Sequence, residues 1–165
     1  QPVISFNYGA ANLERIKRAI QSIVALCVTF CVLMTVVTHT LSPVFVGLFT
    51  QNPEVAARSV RYIKVFTAMI IPLAIQYPLV DETTALGHVQ LALFCSIFRK
   101  CVFLAGLLLL PALVSPEATF LSEPIADAVA ATVTTCLFLH FFPKILAQRA
   151  AREREEREEQ PKVAP

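Results

Sequence analysis

The stretch from Ile20 to Thr40 contains no Asp, Glu, Lys or Arg, and His39 near its far end is its only basic group. A helix that crosses ~30 Å of hydrocarbon needs about 20 mostly apolar residues, so this segment is the right length for one membrane crossing. The rest of the chain repeats the pattern. Only 16% of the 165 residues are charged, against roughly 25% in ordinary soluble domains. Most of that charge falls at 14–18, 54–64, 81–82, 99–100 and 144–162, with long apolar runs between. A soluble helical core would scatter charge along every helix to give it a wet face. Lipid is therefore the expected solvent, and the lipid bilayer the first partner.

Four spans are predicted, at about 20–40, 62–80, 93–113 and 123–142. Asn52-Pro53-Glu54 reads as a helix start, with a capping side chain, a proline at the first helical position and an acid in the first turn. The first turns after it are amphipathic, with Glu54, Arg58 and Arg61 about a turn apart. Pro72 and Pro78 lie inside the second span. Each removes an intrahelical hydrogen bond and clashes with the carbonyl four residues earlier, at Ala68 and Ala74, so the helix bends or breaks there. Leu86-Gly87-His88 is the following turn. The third helix runs from about Val89 to Leu113, and Arg99 and Lys100 within it are expected to snorkel to the nearer surface. The fourth helix starts at Ser122-Glu123-Pro124 and continues through Asp127 to about Phe142, where Pro143 bends its exit. Residues 147–165 form a charged tail, with mixed-sign residues 149–159 read as a solvated helical extension held by local ion pairs. Lys and Arg favour the side that holds both ends, which makes both termini cytoplasmic.

Several classes of function drop out. A formal net charge of +2 without a basic stripe interleaved with aromatics gives no reason to expect nucleic acid as a partner. The five cysteines lie in apolar runs and form no CxxC pair, and no His stands at ligand spacing from them, so no metal site is expected and they read as small buried hydrophobes. Phosphate-loop, nucleophile-elbow and HExxH motifs are absent from the sequence, so no catalytic residues are assigned. Gln1 is not a start residue, and the chain is expected to begin inside a longer protein.

QPVISFNYGA at 1–10 with ERIKRA at 14–19, VFVGLFTQNPEV at 44–55, ALGHVQLALFCSIFRK at 85–100 and FLSEPIADAVAATVTT at 120–135 together resemble the C-terminal third of multidrug and toxic compound extrusion (MATE) transporters. The resemblance covers residues 1–146. It implies an all-α integral membrane fold, with four transmembrane helices, nine to twelve, forming part of the C-terminal six-helix lobe of a twelve-helix transporter. It also implies export of cationic amphipathic small molecules by antiport against H+ or Na+, without a cofactor, in the plasma (inner) membrane of a bacterium. The N-terminal lobe and helices seven and eight would be the missing partners. Important cation-coupling carboxylates of the family sit on its first and seventh helices, which are not here. The segment YPLVDETT at 77–84 departs from the usual uncharged pattern of relatives. Two other readings stand beside the exporter: a polysaccharide-lipid flippase relative, and a non-transporting scaffold whose tail docks a cytosolic partner.

Asp127, Gln76, Asp81 and Glu82 are the transport-path candidates, with Pro72 and Pro78 as bending elements. An ionised carboxylate at membrane depth is costly enough that it serves a pathway or finds a partner. The plainer reading of Asp127 is stabilisation by the helix N-terminus, and of Glu123 interfacial capping. Adjacent carboxylates raise one another's proton affinity, so Asp81 and Glu82 read either as an ion-linked pair or as water-facing residues at a span's end. Gln76 offers its amide to substrate or to a carbonyl freed by Pro78. His39, His88 and His140 read as interfacial.

Overall fold

The computed structural model describes residues 1–159; the last six residues of the tail, among them Lys162, lie outside the described region. The described chain is helical: α1 (Pro2–Gly9), α2 (Leu13–Gly47), α3 (Pro53–Phe66), α4 (Ile70–Ala85), α5 (Val89–Leu113), a 3₁₀ turn (Pro116–Leu121) and α6 (Ser122–Glu159). Among the described residues, four helical segments are long and apolar enough to cross a membrane: α2, α3 and α4 taken together (Pro53–Ala85), α5 and α6.

Local chemistry explains the ends. Asn52 caps α3, its Oδ1 accepting from the amides of Glu54 at 2.9 Å and Val55 at 3.3 Å. The helix then stops at Phe66 and restarts at Ile70, because Pro72 cannot donate to Ala68 and its ring crowds that carbonyl. Pro78 produces no second break; it sits inside α4. Pro143 likewise does not interrupt α6, which runs on through the charged segment to Glu159. The α4–α5 corner is a Schellman turn: Gly87 amide donates to Thr84 at 2.9 Å and His88 amide to Thr83 at 3.1 Å, with Gly87 at φ +84°. The same turn closes α1, but with Ala11 at φ +53° in the left-handed position. Residues Pro2–Gly9, ahead of the first predicted span, form the short helix α1.

The helix α4 is the centre of the bundle, packed against α2, α5, α6 and α1. The apolar core lies at one end, where Ile4, Ile16, Ile20, Leu79, Leu86, Phe138, Ile145 and Leu146 converge. Both ends of the described chain meet there. Arg149 of α6 donates from Nε to the Tyr8 carbonyl at 3.0 Å and from Nη2 to the Gly9 carbonyl at 2.7 Å, closing the C-terminus of α1 with a cation. Elsewhere large apolar side chains point outward. Leu26, Phe30 and Leu33 on α2 are 71%, 60% and 60% exposed, an arrangement suited to lipid or to neighbouring helices and unsuited to water.

Candidate functional site

The α5–α6 crossing holds a buried cluster of charge. A close approach creates it: a Cβ on Gly106 would lie 3.3 Å from both Cα and Cβ of Ser122. From that contact, Arg99 lies seven residues back along α5 and Asp127 five residues on along α6, which puts both roughly 8–10 Å deeper on antiparallel helices. Glu123 and Asp127, four apart, share a face of α6. Arg99 donates to Asp127 Oδ1 from Nε at 3.0 Å and from Nη2 at 2.7 Å, and Nη2 also donates to Glu123 Oε1. Arg99 and Asp127 are 5% and 2% exposed. The Tyr77 ring of α4 adds a cation–π contact, 5.7 Å from the guanidinium.

The expected snorkelling of Arg99 is therefore corrected. Its guanidinium turns inward to two carboxylates, because an unpaired cation at this depth costs more than ordering the side chain. Lys100, on the adjacent position, is exposed. Asp127 finds a cationic partner rather than only its helix N-terminus, and Glu123 joins it. With both acids ionised the cluster carries one uncompensated negative charge, which one proton or one monovalent cation neutralises.

The other predicted residues lie apart from this cluster. Gln76 is 2% exposed, and its Oε1 has no hydrogen-bond partner among the described residues. Asp81 is exposed and accepts from Gln1 Nε2 at 3.3 Å. Glu82 is 2% exposed. Consecutive helical positions point about 100° apart, which separates these two acids into water and core. Pro72 lines an apolar groove of about 390 Å³ between α4 and α6, with Ile71, Ile75, Ala131, Thr132, Thr135 and Cys136. A second groove of about 350 Å³, lined by Ser59, Tyr62, Ile63, Phe66, Thr67 and Phe120, opens beside the α3–α4 break, where Tyr62 and Phe120 stack at 4.2 Å. The break itself is tied to α2: Thr67 Oγ1 donates to the Ile63 carbonyl at 2.8 Å and lies 3.1 Å from His39 Nε2, so the ring nitrogen is the donor of that pair.

A signal for the triad was present in the chain: isolated opposite charges inside two neighbouring apolar runs. Counting from the helix ends hides it, since Arg99 lies 14 residues before Leu113 and Asp127 only five after Ser122. The 3₁₀ turn folds back along α5 and removes that offset.

The MatE family model matches residues 1–116. The chain belongs to the MatE family. No curated protein and no solved structure matches it. MatE membership makes this a multi-pass membrane protein of a transporter family, not an enzyme. The basic side of the triad, Arg99, lies within the matched MatE segment; Glu123 and Asp127 lie beyond it.

Proposed function

We propose that this MatE chain forms part of an ion-coupled exporter of cationic amphipathic compounds, working in the plasma membrane with both termini cytoplasmic. The observation that carries the reading is the buried Arg99–Asp127–Glu123 cluster. Its spare negative charge at membrane depth suits uptake of one H+ or Na+, and neutralising Asp127 weakens its hold on Arg99. That couples ion occupancy to the α5–α6 contact, a two-state element of the kind alternating access requires. The aromatic groove by Tyr62 and Phe120 suits the lipophilic body of an organic cation. The break at Thr67–Met69, set by Pro72, supplies a bending point in the same lobe. The outward apolar side chains of α2 fit lipid and the remaining helices of a two-lobed transporter.

The test is gradient-driven efflux of an ethidium-type dye from vesicles that hold a transporter containing this chain. Asp127→Asn is expected to abolish coupling to an imposed proton or sodium gradient, and Asp127→Glu to retain part of it. Coupled flux unchanged in Asp127→Asn removes Asp127 from the mechanism. Residues 1–165 alone are expected to give no flux.

A further inference from the structure

Glu82 stands outside the cluster just described and has no role in it. It is 2% exposed, buried among the residues of α4 that face the core. Its Oε2 has no hydrogen-bond partner among the described residues. Thr83 beside it donates elsewhere, to the Leu79 carbonyl at 2.7 Å. The neighbouring core is hydrocarbon: Ile4 from α1, Ile16 and Ile20 from α2, and Phe138, Ile145 and Leu146 from α6.

Among the described residues, no Lys, Arg or His side chain pairs with Glu82. On α2, Glu14, Arg15, Lys17 and Arg18 are exposed. On α6, His140 and Lys144 are exposed and bonded to each other at 2.7 Å, and Arg149 is committed to α1. On α5, Arg99 is held by Asp127 and Lys100 is exposed. His88, half-buried, stands at the N-cap position of α5, where its side chain makes no capping bond. The α1 side chains carry no formal charge, with Tyr8 their one titratable group. The neighbour of Glu82, Asp81, is itself an acid and turns to solvent. A buried, unpaired carboxylate is so costly that such a group takes up a proton instead. Among the described residues no group of three or more His, Cys, Asp or Glu side chains is arranged to hold a metal ion.

The helix α1 packs against the same end of α4. Eight residues long, it is too short to be stable as a helix by itself. It is held by buried Ile4, by Ser5 Oγ donating to the Ala85 carbonyl at 3.0 Å, by the Gln1–Asp81 contact and by Arg149. Two of these four attachments, at Asp81 and Ala85, fall on α4 on either side of Glu82.

We infer that Glu82 is a proton-binding site covered by α1, protonated while α1 is seated and opened to water when α1 lifts. On opening, the carboxyl O–H bond breaks, the proton passes to water, and the carboxylate left behind is hydrated; seating α1 again requires the proton back. The inference goes beyond the exporter reading, since it rests on burial and not on transport.

Infrared difference spectroscopy of the full chain in lipid at neutral pH tests it. The expected result is a protonated-carboxyl carbonyl band that Glu82→Gln removes and Glu82→Asp shifts in frequency, with circular dichroism confirming that each variant is folded. Arg149→Gln, which frees the C-terminus of α1, is expected to lower the midpoint at which the band titrates by about one pH unit, a tenfold loss of proton affinity. A wild-type spectrum without the band, or a band untouched by Glu82→Gln, overturns the site. So does a band that disappears instead in Asp127→Asn. A midpoint unmoved by Arg149→Gln overturns the role of α1. Absence of dye flux in a transporter containing this chain, with this band intact, would count against the exporter reading alone.

Discussion

Separating Arg99 from its acids is the sharpest test of the α5–α6 crossing. Arg99→Met leaves Asp127, 2% exposed, without the two bonds at 3.0 and 2.7 Å that satisfy it. Breaking a buried ion pair from one side costs about 3–5 kcal/mol. Asp127→Leu is milder, because Arg99 keeps Glu123; loss of hydrogen bonds to a charged partner is worth about 1.5–3 kcal/mol. The double variant buries neither charge, and Glu123, with a side chain 20% exposed, has a route to solvent. Apolar replacement of a buried pair is close to neutral, so the double variant should lose no more than about 2 kcal/mol. The single costs then sum to roughly 5–8 kcal/mol, well above the double, giving a coupling of about 3 kcal/mol or more. Unfolding by titration of dodecyl sulfate into mixed micelles, followed by circular dichroism, measures all four proteins. Additivity within ~0.5 kcal/mol would show that the three side chains do not act as one unit, and the proposed coupling would fall with it.

Other outcomes follow from the same geometry. Gly106→Val drives a branched side chain into Ser122, which would lie 3.3 Å from the new Cβ; it should cost about 1–3 kcal/mol, while Gly47→Ala, with nothing within 4 Å, should be neutral in the same assay. Ala11→Gly should stabilise by roughly 0.5–1 kcal/mol, since Ala11 sits at φ +53°, a conformation that costs a residue with a Cβ about 1–2 kcal/mol, less the extra unfolded-state freedom of glycine. Unchanged thermal stability would count against that turn. Pro72→Ala restores a donor to the Ala68 carbonyl, so amide exchange at Thr67–Met69 should slow about tenfold, some 1.4 kcal/mol, and transport by a protein containing the chain should change; fast exchange as before would place the cause of the break elsewhere.

The helices were legible because their signals are local. Asn52-Pro53-Glu54 and Leu86-Gly87-His88 mark a cap and a turn through their own side chains and dihedral freedom, and the charge-free Ile20–Thr40 run needs only a length. Pro72 announced a break at Ala68 by the same local logic. What could not be read were facts fixed by a second element. Arg99 looked like a surface anchor, since only the fold-back of residues 116–121 brings Glu123 and Asp127 into its reach. Asp81 and Glu82 are indistinguishable as adjacent acids; packing at the end of α4, beside a short helix outside the four predicted spans, buries one and leaves the other wet. Pro143 carries the same sequence signal as Pro72 yet leaves its helix unbroken, and packing of Phe142, Ile145 and Leu146 in the core holds that segment in place.

The unbroken course of α6 turns its far end into a pointer. From Asp127 to Glu158 the rod is about 46 Å long at 1.5 Å per residue, with one end beside Arg99 and the other well beyond the apolar core. If the rod pivots near Asp127 and stays stiff, 5° of rocking there displaces the tip by about 4 Å. A spin label placed near Glu158 would thus magnify small rearrangements at Asp127 into distances that pulsed magnetic resonance resolves.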